Sequence, residues 1–162
     1  MFKKILVPVD GSDSSVMAAR VGADLVAKNG GEFTLLYVVR LIEYGLEETE
    51  LPEPAAPKSA VESGKGLLER IKEEIGSPQA KLLVAIGHPA HTICNQAEEG
   101  KYDLIVMGSR GIGGLPGSLI GSISQRVSEH AHCPVLLSRL PKGVKEGHKI
   151  IRSMPNDYVL YY

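Results

Sequence analysis

Short apolar runs alternate with stretches of helical periodicity from end to end of this 162-residue chain. The runs are Lys4-Ile-Leu-Val-Pro-Val9, Phe33-Thr-Leu-Leu-Tyr-Val-Val39, Leu82-Leu-Val-Ala-Ile86, Leu104-Ile-Val-Met107 and Pro134-Val-Leu-Leu137. They are nearly continuous rather than alternating apolar with polar, so each strand is buried on both faces. Interleaved with helices, such strands form a parallel sheet covered on each side, a three-layer α/β/α domain. The helical stretches carry their own punctuation. Ser12 and Asp13 can cap a helix with the stripe Val16, Ala19, Ala23 and Val26, ended by Gly30-Gly31. Val61, Leu68, Ile71 and Ile75 mark a second, stopped by Gly76-Ser-Pro78. Pro89 suits the first turn of a third, with Ala90, Ile93 and Ala97 inward and Gly100 beyond its end. Ser122 with Gln125 has capping-box spacing before a fourth, whose inward residues are Ile123, Val127 and Ala131.

Ligands of such sheets bind beyond the carboxyl ends of the strands, where the strand order reverses. The fourth run opens at that end into Gly108-Ser-Arg-Gly111, followed nine residues later by Gly121-Ser122 at the fourth helix start. Glycines let backbone N–H groups approach an anion, and a helix start adds unpaired donors and the positive end of a dipole. Asp10 occupies the same end of the first run.

Composition narrows the partners. Apolar content of 43% and charged content of 23% are those of a soluble globular protein, and 162 residues suit one domain. A net charge of −1 offers no broad basic face, so nucleic acid and anionic membrane are not expected partners. No apolar run approaches the roughly 20 residues of a membrane span. The opening Met1-Phe-Lys-Lys-Ile-Leu has signal-peptide character but breaks at Pro8 and Asp10, and reads as a buried strand. Cys94 and Cys133 make no disulfide framework and fit a reducing cytoplasm, as small buried hydrophobes. Two segments depart from the compact pattern. Residues 41–58 carry five glutamates and three prolines, and read as a solvated loop or a lid. From Pro141 the chain turns polar, then ends in Tyr158-Val-Leu-Tyr-Tyr162, an edge-strand or subunit contact if not a frayed tail.

The glycine spacing resembles the nucleotide signature G-x2-G-x9-G-[ST] of the universal stress protein family, ATP-binding branch. Gly108, Gly111, Gly121 and Ser122 match it at every position. Ile5-Leu-Val-Pro-Val-Asp10-Gly-Ser, Tyr102-Asp-Leu-Ile-Val-Met-Gly-Ser-Arg-Gly111 and His132-Cys-Pro-Val-Leu136 are similar to the family's strands, over residues 2 to 139. The resemblance implies a five-stranded parallel sheet of order 3-2-1-4-5, the adenine nucleotide alpha hydrolase-like fold. It implies a nucleotide-binding domain over 1–140, a C-terminal extension over 141–162, and a homodimer through the fifth strand. It puts Pro8, Val9 and Asp10 at base and ribose, the Val38 backbone at adenine, and Met107 beside the nucleoside. Gly108, Arg110, Gly111, Gly121, Ser122 and Ile123 would surround the phosphates through N–H groups and the Ser122 hydroxyl. A carboxylate suits a ribose hydroxyl, although Asp10 could instead stabilise the turn into the first helix.

Other chemistries lack their residues. No lysine follows a suitable glycine in the G-x-x-x-x-G-K-[ST] pattern of a Walker loop, and Gly111-Ile-Gly113 meets Pro116 where the dinucleotide fingerprint needs its third glycine. The loop supplies neither a positioned base nor a metal-holding carboxylate for fast phosphoryl transfer. His88-x-x-His91 falls short of a zinc set, and His130, His132 and Cys133 point in different directions on entering a strand. The expectation is therefore a cytoplasmic protein that binds ATP, AMP or ADP as a switch, with Mg²⁺ or Mn²⁺ accompanying the triphosphate. A slow ATPase and a nucleotide-free dimeric interaction module are the alternatives.

Overall fold

The computed structural model describes residues 2–40, 57–111 and 120–141. Nearly all of the acidic 41–58 segment and the tyrosine-rich end therefore lie outside the described residues. Five strands, β1 (Lys4–Pro8), β2 (Glu32–Val39), β3 (Lys81–Ile86), β4 (Leu104–Gly108) and β5 (Val135–Ser138), alternate with four helices. These are α1 (Asp13–Asn29), α2 (Lys58–Glu74), α3 (Pro89–Glu99) and α4 (Ser122–His130). The strands form one parallel sheet in the order β3-β2-β1-β4-β5, as the sequence implied.

Topology decides which helix covers which face. The chain steps one way from β1 through β2 to β3, then returns to place β4 on the other side of β1. Right-handed crossovers in opposite directions put their helices on opposite faces. One core accordingly joins Val16, Ala19 and Val26 of α1 and Leu68 and Ile71 of α2 to Ile5, Val7, Phe33, Leu35 and Val106. The other joins Ala90, Ile93 and Ala97 of α3 and Val127 of α4 to Leu6, Leu36, Ile105 and Met107. Successive residues of each strand supply the two cores in turn, which is why the strands read as unbroken apolar runs.

Details differ from the sequence expectations at two helices. In α2, Val61 is only partly buried, and the inner face is Ala60, Gly64, Leu68 and Ile71. Gly64 belongs there because a Cβ would stand 2.5 Å from the Tyr37 ring, which fills the space of a side chain. In α4 the capping box does not form. Gly121 is the N-cap, Ser122 is the first helical residue, and no side chain caps the helix. The Gln125 amide instead donates to Glu129 Oε1 at 2.9 Å.

The central strands carry the packing load, and Phe33 is fully buried between sheet and α1. Phe33→Ala should lower the unfolding free energy by about 3–5 kcal/mol through lost transfer and an unfilled cavity. Phe2→Ala, at an exposed position, should change it by less than about 0.5 kcal/mol; urea denaturation of both variants checks the contrast.

Candidate functional site at the switch point

β1 has β2 on one side and β4 on the other, so the strand order reverses across β1 and β4. Their carboxyl ends carry Asp10 and the glycine loop. Beyond β1, the Val9 N–H donates to Leu36 O at 2.8 Å, and Gly11 takes a positive φ of 87° to turn the chain into α1. Asp10 Oδ1 accepts from the Ser12 N–H at 3.0 Å and from the Ser12 hydroxyl at 2.6 Å. Ser12 is the N-cap of α1, and its Oγ accepts from the Ser15 N–H at 3.3 Å. Asp10 thus shapes the turn into α1, the competing role considered for it. Its other oxygen, Oδ2, lies 2.5 Å from where a Cβ on Gly111 would stand. The carboxylate therefore spans the crevice from the β1 side to the glycine loop.

The loop is fastened at its stem. The Ser109 N–H donates to Ser138 O at 2.7 Å, and the Gly121 N–H donates to Ser109 O at 2.7 Å. The Ser124 hydroxyl donates to Gly108 O at 2.8 Å. The two ends of the 110–120 segment therefore meet above β4, and α4 starts beside the strand end. Gly121 departs from the expectation that its N–H faces phosphate, because that donor is used inside the loop. The N–H groups of Ser122 and Ile123 lie in the first turn of α4, where helical geometry supplies no partner. The guanidinium-bearing residue, Arg110, is exposed.

The three signature glycines are glycine for different reasons. A Cβ on Gly108 would stand 2.8–3.0 Å from Ser14 Oγ and the Ser14 backbone, so this glycine serves the approach of α1 to β4. Gly111 accommodates Asp10. A Cβ on Gly121 would meet Arg110 Cα at 3.5 Å, Ser109 O at 3.6 Å and Gly111 N at 3.7 Å, all ordinary contacts, and its φ is −74°. Among the described residues, nothing in the protein requires Gly121 to lack a side chain.

The remaining predicted residues lie at or near the carboxyl ends of β1, β2 and β4 and at the start of α4. Pro8 pairs with Leu36, and β2 runs on through Tyr37, Val38 and Val39. In a strand, N–H and C=O groups of alternate residues face the same neighbour. Leu36 O faces β1 and Val39 O faces β3, where it accepts from the Gly87 N–H at 3.0 Å. The Val38 backbone therefore faces the space above the end of β1. Val9 is buried in the first core and Met107 in the second, and the Ile123 side chain packs partly into the second core.

The histidines lie elsewhere. His88, His91 and His130 share a cleft of about 340 Å³ between α3 and α4 with Ala90, Cys94 and Arg126. That grouping was not legible in sequence because α3 and α4 meet only through the tertiary fold. Among the described residues, no three His, Cys, Asp or Glu side chains are arranged to hold a metal ion. Cys94 and Cys133 are half-buried, and burial pushes both thiols above the usual cysteine range, away from nucleophilic chemistry at neutral pH. No helix among the described residues is long and apolar enough to cross a membrane.

A parallel sheet of order β3-β2-β1-β4-β5 with α1 and α2 on one face and α3 and α4 on the other has the adenine nucleotide alpha hydrolase-like fold. Residues 1–139 match the Universal stress protein family. Universal stress protein YxiE of Bacillus subtilis is 38% identical over 150 residues, covering 86% of this chain and 100% of that protein. The solved structure of MJ0577 of Methanocaldococcus jannaschii aligns with a TM-score of 0.70 at 29% identity, covering 88% and 99% of the two chains. The chain belongs to the universal stress protein family. Structures in the family include a universal stress protein in complex with cAMP (24% identity, TM-score 0.61, 86% and 98% covered). Another is an Archaeoglobus fulgidus protein in complex with dAMP (18% identity, TM-score 0.63, 85% and 98% covered).

The glycine geometry separates two variants. Gly108→Ala should destabilise the fold by about 1–3 kcal/mol, because α1 must move off β4. Gly121→Ala should stay within about 0.5 kcal/mol of the unaltered chain. Thermal melting of the two without ligand measures the difference.

Proposed function

We propose that this protein binds ATP, or ADP or AMP, at the switch point and acts as a nucleotide-dependent switch rather than a turnover enzyme. The observation that carries this reading is Gly121. A Cβ there would make only ordinary contacts among the described residues, one of them with the Gly111 N at 3.7 Å, and the first turn of α4 begins at the next residue. Room kept next to backbone donors and a helix dipole serves an anion. In this reading the phosphates rest against Gly108, Arg110, Gly111, Ser122 and Ile123, with Gly121 supplying clearance. Asp10 takes a ribose hydroxyl, since a carboxylate accepts from hydroxyls and repels phosphate. Pro8, Val9 and Met107 floor the nucleoside, and the Val38 backbone meets the adenine edge. The family's cAMP and dAMP complexes support an adenine nucleotide over phosphate in general.

Mg²⁺ or Mn²⁺ would accompany the triphosphate through phosphate oxygens and water. Among the described residues of the loop there is no His, Asp or Glu to serve as a base, and in this reading occupancy switches the protein rather than consuming the ligand. The accompanying assembly is a cytoplasmic homodimer in which β5, the edge strand beyond β4, pairs with its copy and residues 141–162 extend the contact beyond the 1–140 domain.

Thermal melting with and without ATP tests the reading. At ATP about 100-fold above Kd, the unaltered chain should gain about 2.7 kcal/mol, a rise of roughly 5–10 °C. Gly121→Ala should melt normally without ligand and show little of that rise. No ATP-dependent rise in the unaltered chain would sink the proposal.

A further inference from the structure

We propose that Ser14 is the positioning residue of the anion cradle: by holding the Arg110 carbonyl, its hydroxyl turns the Gly111 N–H toward the space bared by Gly121. The inference rests on the nucleotide reading above and adds the residue that sets the donor's direction. Ser14 is not part of the glycine signature. It sits in the first turn of α1, is 2% exposed, and reaches the loop only because Gly108 lets α1 lie against β4.

Hydrogen-bond bookkeeping assigns the protons. The Ser14 hydroxyl bonds the Arg110 carbonyl oxygen, which can only accept, so the single Ser14 proton goes to the loop. The Ser12 proton goes to Asp10 Oδ1. The Ser12 Oγ···Ser14 Oγ contact at 3.3 Å is then left without a proton and is a packing contact. Two neighbouring serines thus fasten the two walls of the crevice to one helix turn, Ser12 through Asp10 and Ser14 through Arg110.

The direction of the Gly111 donor follows from peptide geometry. No peptide bond among the described residues is cis, and in a planar trans peptide the C=O and the following N–H point opposite ways. With the Arg110 carbonyl turned to α1, the Gly111 N–H points away from α1. Gly111 N also lies 3.7 Å from where a Gly121 Cβ would be. Turned the other way, the same peptide would offer its carbonyl, which repels phosphate.

Calorimetric titration of the full chain with ATP and with adenosine tests this, using Ser14→Ala and Ser14→Thr. Ser14→Ala should weaken ATP about 10-fold while leaving adenosine within about twofold, because only the phosphate arm uses the oriented donor. Ser14→Thr keeps the hydroxyl and should retain most of the preference for ATP over adenosine. Mere packing damage predicts the reverse, since the added methyl enters a crowded turn. An unchanged ATP-to-adenosine ratio in Ser14→Ala, or equal losses for both ligands, would overturn the role of Ser14 and leave nucleotide binding standing. An unaltered chain that binds neither ligand would overturn both.

Discussion

The first turn of α1 crosses the end of β4 with no side chain between them, and the shape of the switch point follows from that contact. A Cβ on Gly108 would come within 3.0 Å of the Ser14 backbone, so any other residue would lift the helix away. With the helix seated, Ser14 reaches Arg110 beyond β4, while Ser12 bonds Asp10 locally within the turn from β1. The loop stem is then closed from the other side by Ser109, Ser124 and Ser138. Ser12, Ser14 and Ser124 do this through their hydroxyls, whereas Ser109 and Ser138 bond through backbone N–H and C=O groups. The resulting crevice has a carboxylate on one wall and backbone donors on the other.

That asymmetry bears on function. A carboxylate beside backbone N–H groups sets a wall that suits hydroxyls against one that suits anions, and the nucleotide proposal rests on that pairing. Asp10 is engaged by two donors from Ser12 in the turn to α1.

Much of this was legible before the structure. The five unbroken apolar runs predict a sheet buried on both faces, and the resemblance at Gly108, Gly111, Gly121 and Ser122 implies the strand order found. Local signals worked where the physics is local: Ser12 as a cap, Pro89 at a first turn, Gly30 after a helix. They failed where tertiary contacts decide. The Ser122 to Gln125 spacing looks like a capping box, yet the bond closing the loop makes Gly121 the cap. Tyr37 from β2 decides that α2 needs Gly64, and no window of sequence joins the two. Ser14 had no motif at all, since its partner is a carbonyl 96 residues away. The Gly121 N–H was misassigned for the same reason: its acceptor, Ser109 O, is brought close only by the folded loop.

Nitrogen-15 NMR titration of the intact protein with ATP tests the central claim most directly. The account predicts saturable shifts concentrated at Val38, Gly111, Ser122 and Ile123, with the far amino ends of the strands unmoved. Saturation with shifts centred instead on the α3–α4 cleft around His91 and His130, or no shifts at millimolar ATP, would contradict it.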